Sequence, residues 1–407
     1  MQNSHHKIVI ILVAAFTLLQ FIILLVFGYT PYPDSEGYLY LAKECVAHGE
    51  PYPVTSMLCK YPFLWNIGAI NAVTASLAIF HSVVPLLVLY SLLKGITAAL
   101  FYAVTRKICN SQVAFIALVL YVIYPANYGE GTSTLSELPF MFFIMLGMYL
   151  SIVRNWSLAG GIMLAVANWF RPMAIVFLLA MLIYFMFKWR KNFKLVVGYL
   201  LMIGIIGTMT MYRTGLFLYQ AKSGWMNLAI KTYESGYQND WNENPIMIRE
   251  HNEWNVSQKD SAWQHLYTEW TMKHPKEYVS RMPGKILNTY VSDNANMCTF
   301  ITGKTEKKYM YDEVSMQVLI KLFPYYSPVQ WLTIVNLLVY YFLLATALIS
   351  ILYFNRQQFL LPVSIIAIGT IILMIIGHGE SRFHIPFIPF IMMLTALLLV
   401  RRKKKNV

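Results

Sequence analysis

From Ile8 to Gly28 the chain runs without one charged side chain, and about 20 such apolar residues are what a helix needs to cross a hydrocarbon core. Backbone groups in lipid have no water to bond, so segments of this kind fold as helices or as a closed barrel. Continuous apolar runs, as opposed to alternating ones, select helices. Further candidates lie at 83–105, 112–124, 138–153, 157–169, 172–187, 195–212, 329–353, 358–376 and 384–400, giving ten in all. With 57% hydrophobic residues and a mean hydropathy of +0.51, the chain is too apolar for a soluble domain of its size. The expected fold class is an all-α polytopic membrane protein of about ten transmembrane helices. No small-residue cleavage site follows Gly28, so the first segment reads as a retained span and not as a signal peptide. The interrupted apolar stretch 66–82 fits either a span or a helix lying in the outer interface.

Formal net charge is +13, which raises the question of a nucleic-acid partner. The positions of the charges answer it. With the N-terminus inside, the cytoplasmic turns carry Lys7, Arg106, Lys107, Arg154, Lys188, Arg190, Lys191, Lys194, Arg356 and the run Arg401 to Lys405, with no carboxylate among them. Of the nineteen carboxylates, twelve fall in 213–328, and Asp34, Glu36, Glu44, Glu50, Glu130, Glu137 and Glu380 are all assigned outside. Basic excess in cytoplasmic loops is the signal that orients helical membrane proteins, so the charge is accounted for by membrane orientation and no nucleic acid is expected.

Three regions result: an N-terminal transmembrane module, 1–212, with a first outer loop at 29–66; a polar outer segment, 213–328; and a C-terminal transmembrane module, 329–407, ending in the basic tail. The outer segment is long enough for a small domain. Trp263, Leu266, Trp270 and Met272 are placed near one helical face, and His274-Pro275 marks a new helix start. Four cysteines without CxxC spacing argue against structural zinc. Cys45 and Cys59 share the first outer loop, where a disulfide and separate thiols are both open. Lys94 falls midway along its span and reads as a side chain snorkelling from a tilted helix.

The residues able to carry chemistry gather at the outer boundary. Pro31-Tyr32-Pro33-Asp34-Ser35-Glu36-Gly37-Tyr38 begins where the first span ends, and Pro33 favours an extended turn there. The same residues also suit the acidic cap of an interfacial helix. Gly377-His378-Gly379-Glu380-Ser381-Arg382 leads into the last span, Glu137 opens one span and Arg171 closes another. The spans ending at Pro125 and at Arg171-Pro172 are short, which predicts a recess at headgroup depth lined by Arg171 and Glu137. Asp34, Lys60, Glu137, Arg171, Glu380 and Arg382 thus come from separate stretches to one side of the membrane.

Taken in order, Asp34-Ser35-Glu36-Gly37-Tyr38, Lys60-Tyr61-Pro62, Leu135-Ser136-Glu137, Phe170-Arg171-Pro172, Lys273-His274-Pro275-Lys276-Glu277-Tyr278 and Glu380-Ser381-Arg382 resemble the motifs of GT-C glycosyltransferases. The nearest group is the dolichyl-phosphate-mannose protein mannosyltransferase-like family, which includes the lipid A aminoarabinose transferase. The resemblance implies transfer of a monosaccharide, with inversion, from a polyprenyl (undecaprenyl or dolichyl) phosphate carrier to an acceptor hydroxyl on a protein, lipid or glycan. It also implies an enzyme of a bacterial inner membrane, working on the outer face among membrane lipids. Asp34 then corresponds to the catalytic aspartate, and Tyr38 and Lys60 to neighbours of the carrier phosphate. The chain departs from the better-known members in having fewer spans and no long soluble C-terminal domain, which leaves the acceptor open.

The chemistry suits these residue types. A hydroxyl attacking an anomeric carbon needs a base, the role of Asp34. A departing phosphate needs fixed cations, which Arg171, Arg382 and Lys60 supply, with Tyr38 beside them. Glu36, Glu137, Glu380 and His378 remain to orient those cations or bind sugar and acceptor hydroxyls. Metal dependence stays open, since Asp34 beside Glu137 is the kind of carboxylate set that takes a divalent ion. Two rival classes are a transporter or flippase of lipid-linked saccharides, and a polysaccharide polymerase or ligase using diphosphate-linked donors.

Overall fold

The computed structural model describes residues 2–50, 65–234, 248, 253–293, 328–353, 357–376 and 381–405, and its regular structure is all helical, with no strand among these residues. In the N-terminal module α1 (Gln2–Phe27), α2 (Pro33–Ala47), α3 (Ile67–Phe80), α4 (Val84–Ile108) and α5 (Ser111–Ile123) are followed by α6 (Glu137–Met148), α7 (Ser157–Phe170), α8 (Ala174–Tyr184) and α9 (Trp189–Thr214). The outer segment supplies α10 (Gly224–Glu234), α11 (Val256–Lys273) and α12 (Pro275–Tyr290). The chain then returns through α13 (Pro328–Ile351), α14 (Gln357–Ile376), a 3₁₀ turn at Ser381–Phe387 and α15 (Ile388–Lys405).

Among the described residues six helices are long and apolar enough to cross a membrane, and a seventh span results if Ser111–Ile123 is counted with the 3₁₀ segment Pro125–Thr132, which is bent from it by 68°. The remaining apolar segments, at Glu137–Val153, Ser157–Phe170, Ala174–Tyr184 and Ile67–Phe80, are helices of 10–17 residues. This is fewer full-length crossings than the ten apolar segments suggest. All ten are helical, but their lengths differ.

Close helix contact is set by small residues. On α7, a methyl group at Gly161 would stand 2.0 Å from the Leu195 carbonyl oxygen, and one at Gly198 of α9 would stand 2.1 Å from that of Leu158. Only glycine lets the two backbones approach in this way, the packing that replaces hydrophobic burial as a driving force in lipid. The last span occupies the centre of the bundle. In Ser381–Arg401, 89% of the most apolar stretch is buried, against 22% for α1 at the periphery. α15 packs between α13 and α5, while α14 lies on α8 and α12.

The bend after α5 redirects a charge. Pro125 lacks an amide hydrogen and starts a 3₁₀ turn, and Glu130 in the next one reaches Lys94. Both residues are buried, and Lys94 also lies over the Tyr121 ring at 5.7 Å. Lys94 stands ten residues into α4, about 15 Å along it. It therefore does not snorkel, and Glu130 does not stay at the outer surface: the two neutralise each other inside the bundle.

Among its described residues, the outer segment packs onto the transmembrane module. Leu218, Ala229, Ile248, Val256 and Trp263 share one apolar cluster with Ile67 of α3, with Trp65 and Trp169 packed against it. Trp263 and Trp270 are buried as their spacing predicts, but Met272 is exposed, because nine positions after Trp263 it falls on the opposite face of α11. α11 ends at Lys273 and α12 begins at Pro275, as the His274-Pro275 step implies.

Candidate functional site

The helix bearing Asp34 starts earlier than an extended Pro33 turn would allow. Pro33 takes the first helical position, where its missing amide hydrogen costs nothing. The Tyr32 amide donates to Ser35 Oγ at 2.6 Å, and the Ser35 hydroxyl donates back to the Tyr32 carbonyl at 2.8 Å. Asp34 and Glu36 then lie in the first turn, on the positive end of the helix dipole. Asp34 turns toward the protein and Glu36 is exposed to solvent.

Asp34 meets Arg382, which arrives on the Ser381–Phe387 turn, 348 positions away in sequence. Arg171 reaches the same place from the extended residue that ends α7 and is paired with Glu137 at the start of α6. The Phe383 ring lies against both guanidinium groups, its centre 5.2 Å from Arg171 Cζ and 5.9 Å from Arg382 Cζ, a cation–aromatic contact with each.

Tyr38, one turn after Asp34, is buried. Asn66 donates to the Tyr38 hydroxyl oxygen at 2.7 Å and to Ser136 Oγ at 3.1 Å, tying α2 to the segment before α6. Burial, followed by the nearby Asp34 and Glu137 carboxylates, pushes the Tyr38 hydroxyl well above the usual phenol range. It stays neutral, so the hydroxyl keeps its hydrogen. Trp65 packs edge-on against this ring at 5.7 Å.

These groups line one cavity of about 470 Å³, within the range of small-molecule sites. Its inner wall carries Asp34, Tyr38, Arg171, Arg382 and Phe383. The opposite wall comes from the outer segment and includes Gln220, Lys222, Trp225 and Asp260. Lys222 pairs with Asp260 at 3.1 Å, and Asn168 donates to Gln220 at 2.9 Å across the two walls. Among the described residues each cation on the cavity thus has a carboxylate partner: Asp34 for Arg382, Glu137 for Arg171 and Asp260 for Lys222.

Of the residues expected at the site, Asp34, Tyr38, Arg171 and Arg382 line the cavity, and Glu137 stands behind Arg171. Glu36 is not part of the lining, since the side chain two positions after Asp34 points off the other face of α2. Lys60, His378 and Glu380, and with them Cys59, lie outside the described residues. Asp34 and Glu137, the pair considered for a divalent ion, are each engaged by an arginine, and among the described residues no three His, Cys, Asp or Glu side chains form a metal-sized group. Lys222, Asp260 and Gln220 sit in no motif, and nothing in their sequence neighbourhood points to the cavity. Asn66 could have been noticed as a lone amide between two apolar stretches.

No protein-family model, curated protein or solved structure matches the chain.

Proposed function

We propose that the chain is an inverting glycosyltransferase of the GT-C type, moving a monosaccharide from a polyprenyl phosphate carrier to an extracytoplasmic acceptor hydroxyl. The observation that carries this reading is the joining of Asp34, Arg171 and Arg382, from three distant stretches, on the wall of one cavity. In this account the short apolar helices count as spans, giving ten crossings with the N-terminus in the cytoplasm of a bacterial inner membrane. The cavity then opens outward at headgroup depth, where a lipid-linked phosphate resides.

Asp34 takes the proton from the acceptor hydroxyl as its oxygen bonds to the anomeric carbon. The carbon–oxygen bond to phosphate breaks on the opposite face, and the electron pair leaves with the phosphate. Arg171 and Arg382 stabilise that anion, and the Tyr38 hydroxyl donates to it. Arg382 also holds Asp34 in the resting protein. A donor phosphate competes for the same guanidinium and so frees the carboxylate as the substrate arrives. Trp65 and Trp225 offer faces suited to a sugar ring.

A flippase or transporter draws on a different observation, the Lys94–Glu130 pair inside the bundle, since buried charges often mark transport paths. A polymerase or ligase would use the same outer arginines with a diphosphate carrier. Mass spectrometry of lipid retained through purification separates these readings. A monophosphate carrier bearing one sugar supports the transferase, and a diphosphate oligosaccharide carrier contradicts it.

A further inference from the structure

The outer wall of the cavity is one continuous stretch of chain, Gln220 to Leu228, with Asp260 of α11 added to it. Packing holds that stretch in place. Leu218 and Ala229, just beyond its two ends or close to them, share the apolar cluster on Ile67 with Val256 and Trp263 of α11. Asp260 is four positions after Val256 and three before Trp263, so the same face of the helix carries it inward. Trp225 packs on that cluster too, its ring centre 6.0 Å from that of Tyr267, and still lines the cavity.

The polar groups of this wall are only partly used by the protein. Asn168 donates to the Gln220 side-chain oxygen at 2.9 Å, and the Gln220 amide nitrogen has no partner among the described residues. Lys222 donates to Asp260 Oδ2 at 3.1 Å, which leaves further ammonium hydrogens and, among the described residues, the second carboxylate oxygen. The Ser223 hydroxyl and the Asn227 carboxamide, also on the wall, make no side-chain hydrogen bond among the described residues. An amine, a carboxylate, two carboxamides and a hydroxyl thus stand beside an indole ring, and the two charges are paired with each other.

This surface is unlike the inner wall, where two guanidinium groups suit a compact anion. An apolar chain here would strand the polar groups without partners, and a phosphate would meet the Asp260 carboxylate. A sugar ring matches the wall group for group. Each hydroxyl both donates and accepts, so one can donate to Asp260 while its neighbour accepts from Lys222, with the C–H face of the ring on Trp225. A charged substituent on that ring finds no unpaired opposite charge, because Lys222 and Asp260 neutralise each other.

We propose that the outer wall is the sugar subsite of the cavity, and that it selects an uncharged monosaccharide, two of whose hydroxyls are held by Lys222 and Asp260 with the ring on Trp225. The proposal rests on the transferase reading, in which Arg171 and Arg382 hold the phosphate and the sugar joined to it extends to the opposite wall. Lys222 and Asp260 then determine specificity, since a site built to hydrogen-bond a hydroxyl rejects a ligand that lacks it.

The test is binding to the full-length protein in detergent micelles, read from tryptophan fluorescence. The probes are farnesyl monophosphate and farnesyl phosphates carrying glucose, galactose, mannose, glucosamine or glucuronic acid, with no acceptor present. At least one of the three neutral sugars is expected to bind more tightly than the bare phosphate, by about 10- to 100-fold, the worth of hydrogen bonds to charged groups. The glucosamine and glucuronic acid probes are expected to show no such gain. This comparison uses the unsubstituted protein and so depends on no variant folding. In Lys222→Met with Asp260→Leu, which removes both charges together, the gain from the neutral sugar is expected to vanish while affinity for the bare phosphate holds. No gain from any neutral sugar, a gain from a charged one, or an equal loss for bare and sugar-bearing phosphates in the double variant would overturn the proposal. The first of these is also the result expected if the wall serves an acceptor's hydroxyls instead. If the unsubstituted protein binds none of the probes, the donor reading itself fails and takes the subsite with it.

Discussion

Two arginine- or lysine-carboxylate pairs in this bundle have the same chemistry and opposite surroundings. In Lys94–Glu130 the side chains are 5% and 2% exposed, whereas in Arg382–Asp34 they are 18% and 23% exposed and face a cavity. The sealed pair cancels its charges inside the bundle, away from the cavity. An open pair offers donors and an acceptor to whatever enters. Arg171–Glu137 joins the two designs, with Glu137 enclosed and Arg171 on the cavity wall. What separates the two pairs is therefore access to the cavity and not charge.

Removing one partner of the sealed pair is expected to have the largest effect on folding. Lys94→Met removes the cation that neutralises the buried Glu130 carboxylate and should cost about 3–5 kcal/mol, measured by thermal or denaturant unfolding in detergent. The double variant Lys94→Met with Glu130→Leu should recover most of that loss, while the sugar transferred per folded molecule stays unchanged. A double variant as unstable as the single one, or one lacking transfer, would break the distinction between sealed and open pairs.

Arg171→Ala comes next, because it acts on both sides. Loss of a charge-assisted contact to phosphate should weaken carrier-lipid binding by about 10- to 100-fold, measured by titration with a polyprenyl phosphate. Unchanged affinity would remove Arg171 from the site. Lys222→Ala is expected to be the mildest. Its pair with Asp260 is 37% and 14% exposed, so stability should change by about 1 kcal/mol or less, as for other partly solvated pairs. A larger loss would place Lys222 with the sealed group.

Much of the inner wall was legible in the sequence, because a charge at the edge of an apolar segment is costly and therefore conspicuous. Asp34, Arg171 and Arg382 stand out on that ground, and the sidedness of the basic residues puts them on one face. The partner of Lys94 was not legible. Glu130 follows a short apolar segment and looks like a loop residue, and only the 68° bend after α5 carries it back into the bundle. The outer wall was hidden for a similar reason. Lys222 and Asp260 lie 38 positions apart, one in an irregular stretch and one on α11, and only tertiary packing on Trp65, Ile67 and Trp169 makes them neighbours. The sequence leaves the start of α2 open between an extended turn and a helix cap, since proline suits the first turn of a helix as well as an extended one.

The most direct test of the account is transfer by Asp34→Asn, a near-isosteric change at the open pair that removes the base and keeps a hydrogen-bonding group. With a polyprenyl phosphate sugar as donor and the protein inserted and folded as in the unsubstituted chain, the rate is expected to fall by about 10²- to 10⁴-fold, with donor binding retained. Transfer at the unsubstituted rate would contradict the assignment of Asp34 as the base.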